Sequence, residues 1–341
     1  MRTGRIIAVS PDGAFRRELD AALRAVTDAV EVHAALHALG AGGPPAALCV
    51  IHLEGELART SAELLGPLTG GCPVIAVLPR SDVTAAVALM QASSNVAAVM
   101  VAERFDPRQL SAVAARIVAD DVFGLAQVMA PETQLHTQLV GDHREKALCM
   151  AAVAELVAQA GVPRRHREPI EQCLDEMLMN ALYDAPVDEQ GQHIFAGVPT
   201  NVRVTLRTEH RVAVQYACDG TRFAVAVRDA FGSLERRIVL RHLHKGLHAE
   251  QKIDRKAGGA GLGLYLMTHA ATAVSFHVLP GISTEALCVF ELEAPRRQLE
   301  QLAFLVQRDA AGQVPSGPAR RLPAGPRRRG RVVAAALAAL A

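Results

Sequence analysis

Residues 258–267 read GGAGLGLYLM, a glycine-rich turn that runs directly into an apolar stretch typical of a helix. Glycine allows a backbone to approach a phosphate closely, and the free N–H groups at a helix start favour anions. The spacing is not that of a dinucleotide-binding fingerprint, because the last two glycines are two residues apart rather than three. It also lacks the Lys-Ser/Thr ending of a P-loop. Alone, the segment predicts either a phosphate-binding turn or an ordinary tight turn.

A second feature is a pair of polar residues on a helix predicted over residues 168–184. Glu176 and Asn180 are four residues apart, so they lie one turn from each other at the margin of the apolar face. An asparagine amide oxygen is a hard ligand suited to Mg²⁺, and a neighbouring carboxylate can orient a water or a hydroxyl. An isolated E-x-x-x-N pattern is more often a polar helix edge, and this alternative stays open.

A third feature is the strand 225–229, VAVRD, which ends in Asp229. A carboxylate at the end of a buried strand costs desolvation unless it accepts hydrogen bonds, and an adenine amino group is a suitable donor. Two alternating strands at 211–217 and 222–228, joined by Asp219-Gly220, form a predicted hairpin that leads to it. The alternative is an acid that leaves the sheet at a turn.

The order and spacing of these three features resemble the GHKL, or Bergerat-fold, ATPases of gyrases, heat-shock chaperones and sensor kinases. The resemblance covers residues 144–293 and implies an α+β sandwich that binds ATP and Mg²⁺. It implies that Glu176 is the catalytic base, that Asn180 holds Mg²⁺ and that Asp229 binds adenine. It also makes residues 233–256 a mobile lid. The remaining nucleotide-binding residues that it implies are Gly232, Lys256, Gly259, Gly261, Leu262 and Gly263.

Two positions depart from the pattern of this family. Phe231 stands where the first glycine of the adenine loop is expected, which leaves Gly232 one residue early. Tyr183 and Asp184 stand where a basic residue often follows the asparagine. Both departures concern the affinity for the nucleotide and its phosphates rather than the fold.

The segment before this domain indicates which branch of the superfamily the chain resembles. His136 and His143 do not begin a phosphoacceptor motif, and the segment is too short for a dimerisation hairpin. Two helices separated by a Gly-Val-Pro turn at 161–163 are instead similar to the compact anti-sigma-factor serine kinases. That likeness implies phosphorylation of a partner on Ser or Thr, for example a sigma-factor or anti-anti-sigma-like protein. A homodimer and a non-catalytic, ATP-gated interaction module remain open as alternatives.

Residues 1–120 alternate short apolar runs with helical patterns, and strands are predicted at 5–9, 30–34, 47–53, 73–78 and 96–101. Continuous apolar strands indicate a parallel sheet covered on both faces, in the doubly wound, flavodoxin-like order 2-1-3-4-5. The arrangement resembles a response-regulator receiver. The chain is therefore expected to consist of an α/β, flavodoxin-like receiver domain followed by the α+β sandwich.

The chemistry of a receiver is missing from this part of the sequence. His52 follows the third strand in place of a phosphoacceptor Asp, and Leu78 ends the fourth in place of a hydroxyl. The segment Glu103-Arg104 replaces the expected Lys, while Asp12 partly fits a metal-binding acid. Glu54 can mimic a fixed negative charge. The sequence therefore predicts a pseudo-receiver that docks to partners.

Composition sets the limits of this interpretation. The chain has 341 residues, of which 50% are hydrophobic and 21% charged, with a net charge of +1, which predicts two domains with real cores. Residues 121–143 are expected to form a linker and residues 299–341 a mostly disordered, Arg/Pro/Ala-rich tail. From residue 309 the tail holds six Arg against one acid without interleaved aromatics, which predicts a solvated tail rather than a nucleic-acid site.

The sequence also indicates a compartment. No apolar run reaches the length of a membrane span, and the six cysteines lack the paired spacing of a zinc site or a disulfide framework. These features predict a cytoplasmic, reduced protein without a membrane partner.

Overall fold

The computed structural model describes residues 4–35, 45–55, 62–199, 202–248, 262–293 and 298–307. Its first half contains five strands, which pair in parallel in the order β2-β1-β3-β4-β5. This is the order expected for a doubly wound sheet. The strands are β1 (Ile6–Val9), β2 (Val30–His33), β3 (Leu48–His52), β4 (Val74–Leu78) and β5 (Val96–Val101).

Helices cover both faces of this parallel sheet, which explains why its strands are apolar at successive positions. Along β1, Ile7 and Val9 belong to one core cluster, whereas Ile6 and Ala8 belong to another on the opposite face. The helices are α1 (Gly13–Arg24), α2 (Ala62–Leu68), α3 (Val83–Ala92) and α4 (Pro107–Ala119).

The second half builds an antiparallel sheet in the order β9-β10-β8-β7-β6. Its strands are β6 (His136–Val140), β7 (Val212–Cys218), β8 (Arg222–Asp229), β9 (Ala273–Leu279) and β10 (Ser283–Glu291). Its helices are α5 (His143–Gln159), α6 (Arg164–Met179), α7 (Arg236–His248) and α8 (Leu262–Ala270). The apolar sides of α5 and α6 share one core cluster with alternate residues of β7 and β8.

Two boundaries differ from the sequence prediction. Strand β6 lies inside the expected linker 121–143 and pairs with β7. The strand predicted at 201–207 is absent from residues 202–207, which contribute only an isolated bridge between Thr205 and Asp142. The edge of the sheet is therefore formed by an earlier segment, which occupies the position beside β7 that the predicted strand would need.

A further strand, β11 (Gln301–Val306), corrects the expected start of the tail at residue 299. It pairs antiparallel with β5 and parallel with β9, so both halves form one eleven-stranded sheet. Leu302 and Leu305 of this strand are buried, as is Leu299 just before it. Burial of these apolar side chains holds the segment in the sheet, whereas the Arg/Pro/Ala-rich composition begins later. Residues 308–341 of the predicted tail lie outside the described residues.

Among the described residues, no helix has the length and hydropathy needed to cross a bilayer.

Candidate functional site

Glu176 and Asn180 lie at the C-terminal end of α6. Leu174, Met177 and Leu178 face the core, whereas Glu176 and Asn180 are only partly buried at the margin of that face, as predicted. From Asn180 to Asp184 the helix widens into a π-helical turn. Such turns are rare and often lie at functional sites, because they turn side chains away from the regular helical register.

The carboxylate of Glu176 lies against the first turn of α8. A Cβ atom added to Gly263 would stand 2.1 Å from Glu176 Oε2, so only a glycine fits there without displacing the carboxylate. Segments 87 residues apart in the chain thus meet at this contact, as the expected site requires. A carboxylate at a helix N-terminus is favoured by the free N–H groups and the helix dipole.

The surroundings of Glu176 favour its protonated form. Burial raises the pKa of its carboxyl group, and the neighbouring charges of Asp175 and Asp184 raise it further, while Lys146 lowers it. Lys146 Nζ, on α5, lies 2.7 Å from Asp175 Oδ1. A basic residue therefore lies near the site, although Tyr183 and Asp184 stand at the positions where the family places one. The prediction missed Lys146 because it comes from another helix, and the packing of α5 against α6 is not encoded in the spacing along α6.

Asp229 ends β8 and is almost fully buried, with 7% of its surface exposed. The backbone N–H groups of Phe231 and Gly232 donate hydrogen bonds to its Oδ1, at 2.8 and 3.3 Å. Burial raises the pKa of this carboxyl group to about 6, although the hydrogen bonds from Phe231 and Gly232 act in the opposite direction. The Asp229 carboxylate is thus buried and hydrogen-bonded to the backbone of the turn that follows β8.

Thr284 on β10 is a site residue that the sequence analysis missed. It is the register partner of Asp229 across the sheet, and its buried hydroxyl and its backbone N–H interact with the Asp229 carboxylate, which lowers the pKa of that carboxyl group. The pattern of the sequence does not reveal which residue pairs with Asp229, so no signal in it could single out this threonine.

Gly232 serves the packing of this turn. Its φ is +62°, and a Cβ atom there would stand 2.3 Å from the carbonyl oxygen of Leu279 at the end of β9. The N–H of Gly281 donates a hydrogen bond to the carbonyl of Gly232 at 3.1 Å. Phe231 is buried with its ring centroid 4.9 Å from that of His210. Close backbone packing and the positive φ explain why a glycine stands at position 232. Its role in nucleotide binding stays a prediction.

One hydrogen bond joins the Asp229 turn to the end of α6. Ser233 Oγ donates to the carbonyl oxygen of Ala185 at 2.8 Å, and the π-helical turn packs against β8. Glu176, Asn180, Asp229 and Gly263 therefore belong to neighbouring elements on one side of the sheet. Leu262 begins α8. The other predicted residues Lys256, Gly259 and Gly261 lie outside the described residues.

The described part of the predicted lid is helix α7, which is docked rather than extended into solvent. The guanidinium of Arg236, on α7, donates hydrogen bonds of 2.8 and 3.2 Å to the carbonyl oxygens of Met90 and Ser93 at the end of α3. Gln91 Nε2 donates to the carbonyl oxygen of Leu240. Burial lowers the pKa of Arg236 to about 10. The lid segment is thus in contact with the first half of the molecule.

The site expected of a receiver is closed. Ser10 Oγ and His52 Nδ1 form a buried hydrogen bond of 3.0 Å, and the ring of Phe15 lies 4.6 Å from that of His52. Burial lowers the pKa of His52. The Asp12 carboxylate accepts hydrogen bonds from the N–H groups of Ala14 and Phe15, so it caps α1. Asp12, which partly fits a metal-binding acid, therefore serves as the N-cap of α1. This agrees with the predicted pseudo-receiver.

Comparison with solved structures gives similarity to receiver domains over about a third of the chain. No protein-family model matches the chain, and no curated protein matches it. Among solved structures, the BeF3-activated receiver domain of DrrB is similar, at 14% identity over 34% of this chain and 98% of that one, with a TM-score of 0.29. The apo receiver domain of nitrogen regulatory protein C is similar at 20% identity over 36% and 98%, with a TM-score of 0.29.

A pilus assembly-related protein of Burkholderia pseudomallei is also similar, at 18% identity over 34% of this chain and 90% of that one, with a TM-score of 0.28. The strand order and the parallel pairing given above define the class of the first half: a receiver-like, doubly wound α/β fold that spans about a third of the chain.

Proposed function

We propose that this chain is a cytoplasmic signalling protein whose second half binds Mg-ATP and phosphorylates a partner protein on Ser or Thr. The observation that carries the proposal is the contact between the Glu176 carboxylate and Gly263. It brings the base implied by the family resemblance to the helix start implied to border the triphosphate. The pseudo-receiver half would supply docking rather than chemistry.

The residues present fit an adenine nucleotide. The adenine amino group would donate to the Asp229 carboxylate, which the Thr284 hydroxyl beside it also contacts. The N–H groups at the start of α8 would face the phosphates, with glycine allowing close approach. Asn180 would hold Mg²⁺ through its amide oxygen, and bound Mg²⁺ supplies neutralisation of the charge on the transferred phosphoryl group.

Glu176 is suited to act as a general base. Burial raises the pKa of its carboxyl group toward the working pH, the condition under which a carboxylate takes a proton most effectively. In this proposal Glu176 would accept the proton of the partner's hydroxyl while that oxygen attacks the γ-phosphorus, the bond from the γ-phosphorus to the bridging oxygen breaks and ADP leaves. The sigma-factor or anti-anti-sigma type of partner is carried over from the resemblance.

A second candidate function is a non-catalytic module in which ATP governs partner binding. Two observations favour it. Phe231 fills the position of an expected glycine and is buried, and the described part of the lid is already docked on α3. A nucleotide that moves α7 would then change the surface shared by the two halves without any phosphoryl transfer.

Transfer of label from Mg-ATP to a co-purifying protein separates the two functions. A kinase labels its partner, and Glu176→Gln lowers transfer by about 10²–10⁴-fold while nucleotide binding and complex formation persist. The matched control is Glu168→Gln, an exposed position two turns earlier on α6, which keeps transfer unchanged. A parent protein that binds Mg-ATP but labels no partner contradicts the kinase and leaves the module.

A further inference from the structure

Two cysteines distant in sequence meet at the start of neighbouring strands in the first half. Cys49 is the second residue of β3, and Cys72 lies two residues before β4. The N–H of Cys49 donates to the carbonyl oxygen of Pro73 at 2.9 Å, and the two sulfurs are 3.3 Å apart. All six cysteines of the chain are free thiols in the structure.

The two thiols are not equivalent. Cys49 is 1% exposed, whereas Cys72 is partly exposed. The S–H of Cys49 stabilises a thiolate on Cys72, which lowers the pKa of Cys72, and the Thr69 hydroxyl lowers it further against the effect of burial. The same contact and burial raise the pKa of Cys49. Cys72 is therefore the accessible nucleophile and Cys49 the thiol behind it.

Hydrogen bonds hold the segment of Cys72 in position. Asn95 Nδ2 donates to the carbonyl oxygen of Cys72 at 3.0 Å and to Thr69 Oγ1 at 2.9 Å. Ser93 Oγ donates in turn to Asn95 Oδ1 at 2.6 Å. The short distance between the sulfurs thus belongs to a fixed arrangement, which keeps a second thiol within reach of any oxidised form of Cys72.

We propose that Cys72 and Cys49 form a peroxide-reactive thiol pair that closes to a disulfide between β3 and the segment before β4. An accessible thiolate next to a second thiol is the arrangement expected of a redox-sensing cysteine. The co-reactant is a hydroperoxide, with hydrogen peroxide as the simplest member. The proposal does not depend on nucleotide binding by the second half.

The reaction balances in two steps. The Cys72 thiolate attacks the peroxide, an S–O bond forms as the O–O bond breaks, and the leaving oxygen takes a proton to become an alcohol or water. Cys49 then loses its proton and attacks the Cys72 sulfur, so that an S–S bond forms as the S–O bond breaks and water leaves. Two thiols are oxidised by two electrons in total, and one peroxide is reduced.

The chain contains a matched internal control. Cys173 on α6 and Cys288 on β10 also interact through their thiols, and both are fully buried. The pKa of Cys288 lies well above its usual value because of Cys173 and burial. This pair has proximity without access for an oxidant, so it stays reduced while the protein is folded.

The test treats the reduced, full-length protein with a small excess of hydrogen peroxide, followed by denaturation, alkylation and peptide mapping by mass spectrometry. We expect a Cys49–Cys72 cross-linked peptide lighter by two hydrogens, reversed by dithiothreitol, with Cys173 and Cys288 fully alkylated. In Cys49→Ser, dimedone traps a sulfenic acid on Cys72. In Cys72→Ser, Cys49 stays reduced.

Mapping of the parent protein tests the proposal without any variant. Full alkylation of Cys49 and Cys72 after peroxide treatment overturns it. Oxidation of Cys173 and Cys288 as fast as that of Cys49 and Cys72 also overturns it, because it would show reaction through unfolded chains. Far-UV circular dichroism before and after treatment checks that the protein remains folded.

Discussion

At the scale of single residues, Asp229 combines deep burial with an ionisable group. Its pKa is raised from 3.8 to about 6, chiefly by burial, so folding favours the protonated form. The resulting stabilisation is fully present below about pH 4 and is lost as the pH rises through 6, with a total of about 3 kcal/mol. At neutral pH the carboxylate is charged and suited to accept a hydrogen bond from a ligand.

Asp229→Asn should remove this pH dependence, because asparagine has a similar shape and does not ionise. We expect the free energy of unfolding of the parent to fall relative to that of the variant by about 2 kcal/mol between pH 4 and pH 7. Urea unfolding across this range measures the difference. A constant difference between the two proteins would contradict the assignment of Asp229 as the buried titrating group.

The residues of the site could be predicted only where spacing within one element determines their position. Glu176 and Asn180 are four apart on a helix, and α6 places both at the edge of its buried face. The neighbours Lys146 and Thr284 come from other elements, whose register and packing are not encoded in local spacing. Asp12 partly fits a metal-binding acid by its position after β1, and in the structure its carboxylate caps α1.

At the scale of elements, the junction of α6 and α8 depends on a glycine. Gly263→Ala would add a methyl group beside the Glu176 carboxylate, which must move away. Alanine also favours a helix by about 0.5–1 kcal/mol over glycine. We expect the free energy of unfolding to change by less than about 1 kcal/mol, while Mg-ATP binding weakens because the added methyl group and the displaced carboxylate alter the start of α8.

Gly66→Ala provides the matched control for this prediction. Gly66 also lies in a helix, and a Cβ atom there would have its closest neighbour at 3.9 Å, which is an ordinary contact. Its substitution should leave nucleotide binding unchanged. Equal binding by the parent and Gly263→Ala, measured by calorimetry, would show that the Glu176–Gly263 contact has no part in the site.

Strands were predictable where burial on both faces makes them apolar throughout. Strands β1, β3, β4 and β5 of the first half fulfil this condition, whereas the edge strand β2, VEVH, is only half-buried. All five strands lie where the sequence places them. The edge strand β6, HTQLV, is buried on one face only and reads as a polar linker. The alternating run before Arg207 resembles a strand, but the sheet edge it would occupy is already taken by β6.

At the scale of the whole molecule, β11 joins two sheets that the sequence suggests are separate. The same core cluster includes Val9 and Val99 of the first half and Val153 and Phe276 of the second. On the other face, Arg116 of α4 lies 2.9 Å from His277 Nε2, and His277 Nδ1 lies 2.9 Å from Glu285 Oε1. A six-residue strand after a polar stretch gives no local sign of this central position, because its two partners are distant in sequence.

The role of β11 predicts the effect of shortening the chain. A chain that ends at residue 307 keeps the strand, and we expect it to unfold in the same single transition as the full chain. A chain that ends at residue 298 exposes the edges of β5 and β9, and we expect a lower Tm with separate transitions or aggregation. Thermal unfolding followed by circular dichroism distinguishes them. Identical transitions for both chains would contradict a structural role for β11.

Isothermal titration calorimetry of the full chain tests most directly whether the second half holds Mg-ATP between Asp229, Asn180 and the start of α8. We expect saturable binding with one site per chain. Asp229→Asn should weaken it by about tenfold or more, since a hydrogen bond to a charged group contributes about 1.5–3 kcal/mol. Asn180→Ala should abolish its Mg²⁺ dependence, and Asp20→Asn, on the surface of α1, should leave it unchanged. Absence of binding by the parent, or equal affinity in all four proteins, would contradict the proposed nucleotide site.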